Sequence, residues 1–214
     1  MPCRWSGKWA QAFGALTKDS IVGNFYTNFT VRGPAQEQVV DALRTRHRQA
    51  FVSPAVNEMV VIYDAECDQQ NADVIVALGR DLSAALACPI LGVLNHDDDI
   101  LCYWLFQRGE LLDEYNSCPD YFEPTLYGQA PAAPAGGDVG KLCSVFATTI
   151  PPQELEAILR APSSKEGGFM FQMERHIALA QALGLPEFSV GAGYQYLEQG
   201  EAPEIAGATF VRVD

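Results

Sequence analysis

Two strongly apolar stretches, 90–94 and Ile100–Phe106, are separated by Asn95-His96-Asp97-Asp98-Asp99. Both stretches are rich in β-branched, leucine and aromatic residues, which suit strands. A five-residue polar connection between them predicts an antiparallel hairpin with the acidic run at its tip. Three adjacent carboxylates and one of three histidines therefore sit at one point of the fold. They form either a solvated turn or a cation or acid/base site.

The segments upstream alternate between strand and helix patterns. From Asn24 to Arg32, Phe25, Thr27, Phe29 and Val31 share one face, and Tyr26, Asn28, Thr30 and Arg32 the other, as in a half-buried strand. Gly33-Pro34 ends it. Val39, Val40, Leu43 and His47 then recur at helical spacing. Phe51-Val52 is a short strand, 59–63 a central one, and Asp73–Ala87 a second amphipathic helix closed by Pro89. After Ile100–Phe106, Arg108-Gly109 makes a tight turn into a strand over 110–115. The order β-α-β-β-α-β plus β-β predicts an α+β protein. Its expected core is a ferredoxin-like βαββαβ antiparallel sheet extended by a β-hairpin.

Downstream the pattern changes. Residues 123–137, rich in Pro, Ala and Gly, read as a linker. Residues 138–214 read as a small, mainly helical region: Val139–Ala147 capped by Asp138, a helix opening at Pro151-Pro152, and Phe169–Leu183 ended by Gly184 and Pro186. Ala208–Val213 is a candidate last strand returning to the sheet. Residues 1–22 show weak periodicity and read as an N-terminal extension to a domain spanning 23–122.

The formal net charge is -13. Residues 1–22 hold Arg4, Lys8 and Lys18 against Asp19, so the remainder is more acidic still. Such a chain repels nucleic-acid phosphates and anionic membrane surfaces and favours basic partners or cations. No apolar run approaches the roughly 20 residues of a membrane span, and residues 1–22 lack a secretory pattern, so the expected location is cytoplasmic. The six cysteines form no C-x-x-C pair or zinc spacing and read as free thiols. No phosphate-binding glycine loop and no G-x-S-x-G elbow is present.

Two chemistries compete for the acidic residues. Carboxylates with an imidazole can hold a divalent cation. His96, Asp97 and Asp99 would then need a further ligand, Asp64 or Glu66 at the end of the third strand, and a metal-dependent hydrolase would follow. Alternatively, the tract 95–123 combines eight acids and one arginine with Tyr103, Trp104, Phe106, Tyr115, Tyr121 and Phe122. Aromatic anchors and steering carboxylates suit a basic protein surface. In that reading Asp98, Asp113, Glu114, Tyr115, Asp120 and Tyr121 contact the partner. No cofactor is then required, and the chain is a non-catalytic binding or regulatory module, such as an immunity-type protein for a basic toxin. A small-molecule site between sheet and helical region is a third option. His176, on the last long helix, reads as a solvated surface histidine.

The segments Asn24-Phe25-Tyr26-Thr27-Asn28-Phe29-Thr30-Val31-Arg32-Gly33, Gly109–Tyr115 and Pro119-Asp120-Tyr121-Phe122 resemble uncharacterised bacterial proteins of unknown function. The resemblance spans 24–122. It implies no activity and transfers no functional residue.

Overall fold

The computed structural model describes residues 23–122, 132–146, 148, 150–163, 167–202 and 209–214. The expected N-terminal extension and most of the expected linker lie outside them. Strand β1 (Tyr26–Arg32) leads into helix α1 (Gln36–Thr45), β2 (Ala50–Val52), β3 (Met59–Asp64), α2 (Ala72–Ala85) and β4 (Pro89–His96). Asn71 caps α2 by accepting from the Asp73 amide at 3.0 Å, the usual role of an Asx residue before a helix. The hairpin β5 (Ile100–Gln107) and β6 (Glu110–Asn116) follows. Its two-residue loop places Arg108 and Gly109 at φ 51° and 85°, the left-handed conformation that matches strand twist.

The fold is α+β, and the sheet is larger than the sequence pattern predicts. Among the described residues it has eight antiparallel strands in the order β7-β6-β5-β4-β1-β3-β2-β8. Two further strands form the edges: one is unexpected, and the other falls within the candidate last strand 208–213. β7 (Ala135–Gly136) lies in the Pro/Ala/Gly segment and pairs with Tyr115 and Asn116. Two residues are too few to show any periodicity. β8 (Val211–Val213) pairs with β2, so the C-terminus completes the sheet.

One face of the sheet buries Phe29, Val31, Val60, Ile62, Ile90 and Phe106 against Val39, Val40 and Leu43 of α1 and Ile75, Leu78 and Leu82 of α2. The opposite face carries α3 (Val139–Val145), α4 (Pro152–Arg160), α5 (Gln172–Leu183) and α6 (Tyr194–Glu198). There Leu91, Tyr103, Leu105 and Tyr115 pack with Leu142, Leu155, Leu159, Leu179 and Leu183. A separate cluster joins Val61 and Tyr63 to Phe188, Tyr194 and Leu197. Helices on both faces correct the half-buried reading of β1: Tyr26, Asn28 and Thr30 are buried as fully as Phe29. No described helix is long and apolar enough to cross a membrane.

Polar anchors fix the C-terminal helices. Arg175, fully buried and without a carboxylate partner among the described residues, donates to the carbonyls of Ile158 (2.7 Å), Leu159 (3.3 Å) and Ala161 (2.7 Å) and to Gln172 Oε1 (2.9 Å). Its cation thus rests on the negative end of α4. Asp68 accepts from the amides of Thr27 (3.2 Å) and Gln195 (3.0 Å), tying β1 to the first turn of α6.

Candidate functional site

The acidic run forms the tip of the β4–β5 hairpin. Asp97 and Asp98 take φ of 52° and 60°, and the Asp99 amide closes the turn on the His96 carbonyl at 2.9 Å. Aspartate tolerates this left-handed geometry better than most residues, so local backbone preference accounts for part of the acidic composition.

The three aspartates have different fates. Asp97 and Asp99 are exposed, whereas Asp98 turns inward and is buried. Its Oδ1 accepts from Asn95 Nδ2 (3.1 Å) and the Met173 amide (3.1 Å). Its Oδ2 accepts from the amide and side chain of Asn24. Its carbonyl takes the Gln172 amide at 2.8 Å. Asp98 thereby caps α5, which starts after Phe171, a residue with no side-chain acceptor of its own.

Around the exposed pair lies a cluster of rings. His96 contacts Phe25 (centroids 5.1 Å), Phe122 (5.3 Å) and Tyr121 (6.0 Å). Tyr121 and Phe122 meet edge to face at 5.0 Å, a favourable arrangement of aromatic quadrupoles. The Tyr121 hydroxyl donates to Asp99 Oδ2 at 2.9 Å. That bond, followed by partial burial, pushes the phenol up to about 12, so it stays a donor across the physiological range. His96 Nδ1 lies 2.7 Å from Gln70 Oε1, and Nε2 lies 3.7 Å from Asp97 Oδ2. Since Gln70 Nε2 donates to the Asn95 carbonyl at 2.7 Å, its oxygen faces the imidazole and Nδ1 carries the proton.

The exposed large apolar side chains of the described residues are Tyr121, Phe122, Met170 and Phe171. Tyr121 and Phe122 adjoin the turn through Asp99 and His96. Met170 and Phe171 precede Gln172, whose amide bonds the Asp98 carbonyl at 2.8 Å. Phe122 is 72% exposed. Asp120 borders the patch and accepts from the Ala132 amide at 3.0 Å.

The remaining candidates lie elsewhere. Asp64 ends β3, two strands from β4 and so roughly 10 Å away across the sheet. It is fully buried, forked by Arg48, and accepts from the Glu66 and Cys67 amides at 3.1 and 2.9 Å. Glu66 also pairs with Arg48. Both line an open cleft of about 510 Å³ with His47, Gln49 and Asp214. Among the described residues, no three His, Cys, Asp or Glu side chains converge in a metal-holding arrangement. Asp113 pairs with Leu105 in the sheet, five residues and roughly 17 Å along β5 from the turn. It accepts from Tyr103 Oη (2.7 Å) and the Asp138 amide (2.8 Å). Tyr115 is buried with its hydroxyl on the Leu159 carbonyl at 2.8 Å, and Glu114 is exposed. The acidic tract thus divides, and only 97, 99 and 120–122 surround the turn. Sequence reasoning missed Phe25 as a neighbour of this site. The missing cap at Phe171 is the one sequence sign that α5 is capped from a distance. The five described cysteines are free thiols.

Compared with family models, curated proteins and solved structures, the chain matches none.

Proposed function

We propose that the β4–β5 turn and its surrounding rings form a docking surface for a basic protein partner, and that the chain acts as a non-catalytic binding or regulatory module. The observation carrying this reading is the pair of exposed rings, Tyr121 and Phe122, packed on His96 and bonded to Asp99 beside the turn that presents Asp97 and Asp99. Aromatic anchors inside an acidic border favour Lys- or Arg-rich surfaces through cation–π contact and charge steering. The excess of negative charge, -13 overall, adds long-range attraction.

The strand order β4-β1-β3-β2, with α1 and α2 on one face, supports a second part of the reading. We infer a ferredoxin-like unit at the centre of the sheet, widened by β5–β7 on one side and β8 on the other.

Affinity capture with three forms of the protein tests the docking surface: wild type, the patch variant Asp97→Asn/Asp99→Asn/Phe122→Ser, and the control Glu37→Gln/Glu110→Gln. The expected result is a set of basic proteins retained by wild type and control, lost by the patch variant and released in about 0.5 M salt, where screening shortens to a few ångströms. Equal capture by all three, or patch-dependent partners that are acidic, would contradict the proposal.

A further inference from the structure

The second face of the sheet carries two separate apolar clusters, one over β4–β6 that reaches Met59 at the start of β3, and one over Val61 and Tyr63 of β3. Strand β1 runs between them, and its residues on that face are Tyr26, Asn28 and Thr30. They form a polar seam, closed from above by His176 of α5 and by residues 189–192. All the side chains of the seam are 0 or 1% exposed.

The hydrogen bonds of the seam are incomplete in a specific way. Asn28 Nδ2 uses both hydrogens, on the carbonyls of Ser189 (2.8 Å) and Ala192 (3.0 Å). Its Oδ1 has no protein partner. Tyr26 Oη lies 2.7 Å from His176 Nδ1 and at 3.5 Å accepts from Asn95 Nδ2. The phenol hydrogen is then free to go to Nδ1, which places the imidazole proton on Nε2. That Nε2 is also unpartnered, as are Thr30 Oγ1 and Ser189 Oγ. The set is one obligate donor, one obligate acceptor and two hydroxyls that can do either. Buried polar atoms without partners are strongly disfavoured, and here four belong to one seam.

We propose that this seam is an internal water site, in which ordered water joins Asn28 Oδ1 and His176 Nε2 to the Ser189 and Thr30 hydroxyls. Water offers two donors and two acceptors, which matches the unpartnered set, and buried waters commonly make about three such bonds. The unpartnered atoms are all on neutral groups, which suits water: they belong to an amide, two hydroxyls and an imidazole whose charged form burial disfavours, while the nearest carboxylates, Asp98 and Asp68, are already bonded to Asn95 and to backbone amides. The site separates the two apolar clusters and lets polar strand residues be buried under α5.

The sign of two shape-conserving substitutions tests it, with a crystal structure at about 1.5 Å or better. In Thr30→Val and Ser189→Ala, a hydrated seam loses a hydrogen bond to held water, and Tm falls by about 2–4 °C. Electron density for water within hydrogen-bond reach of Asn28 Oδ1 is expected in the wild type. Absence of such density, or a Tm raised in either variant because an unpaired hydroxyl has been removed, would overturn the proposal.

Discussion

The Asp98 carboxylate accepts the backbone amide of Met173 at 3.1 Å, across 75 positions of sequence. This bond joins the tip of the β4–β5 hairpin to the first turn of α5, where a negative charge also complements the helix dipole. It makes the middle aspartate of the acidic run an architectural residue and leaves its neighbours to face solvent.

Asp98→Ala should therefore lower stability by about 2–3 kcal/mol, since it strands the Asn24, Asn95 and Met173 donors. Asp97→Asn and Asp99→Asn, which keep a residue suited to the turn, should change it by about 0.5 kcal/mol or less, as exposed positions do. Urea denaturation of the three variants checks the contrast. Equal effects at 97, 98 and 99 would contradict the separate roles.

Asp68 does for α6 what Asp98 does for α5. A Cβ at Gly193 would lie 2.3 Å from Asp68 Oδ1 and 3.0 Å from Tyr26 Cβ. Gly193→Ala must displace the carboxylate that holds the Thr27 and Gln195 amides, at a cost of about 1–3 kcal/mol. Gly200→Ala makes a useful comparison, because no neighbour lies within 4 Å there although its φ of 86° adds strain. A loss at 193 with no shift of the Gln195 amide resonance would argue against this explanation.

Arg175 is a buried cation satisfied by carbonyls. Arg175→Lys keeps the charge but cannot span the Ile158, Ala161 and Gln172 oxygens at once. A loss of about 2–3 kcal/mol is expected, with increased amide exchange at the end of α4 in hydrogen-exchange mass spectrometry. Retained protection there would count against the cap.

Burial pushes His176 down from 6.5 to about 3. The unfolded chain binds a proton at this position near pH 6.5, while the folded chain does so only near pH 3. Over that window the unfolded state holds the extra proton, so stability falls as pH falls, by up to about 1.4 kcal/mol per unit from this group. Above pH 6.5 the contribution is constant. Chemical denaturation at pH 7, 6, 5 and 4 should give a steeper loss for wild type than for His176→Asn. Parallel curves would show that the imidazole is not the group responsible.

The periodicity of residues 24–32 reveals a strand, and the turn residues 97–98 and 108–109 reveal two hairpins. Those signals are local. What covers the Tyr26–Asn28–Thr30 face is not local, because the cover comes from residues 172–192. A polar strand face therefore reads as solvated, and His176, polar on a helix, reads the same way. The aspartates at 97, 98 and 99 are chemically identical, and only contacts from Asn24 and Met173 distinguish the middle one. Asp64 and Glu66 share a charge and a neighbourhood in sequence with a metal-ligand pattern, yet Arg48, 16 positions upstream of Asp64, occupies both. The eight acids of 95–123 look like one tract because sequence distance hides the roughly 17 Å along β5 that separates Asp113 from the turn.

Site-specific photo-crosslinking measures the docking surface most directly. A benzophenone side chain placed at Phe122, 72% exposed beside His96, and a control placed at Glu110, on the far end of the hairpin, should behave differently in cells. The docking account predicts covalent adducts from position 122 to one or a few basic proteins, absent from position 110 and abolished by Asp97→Asn/Asp99→Asn. Identical adducts from both positions, or none from 122, would contradict it.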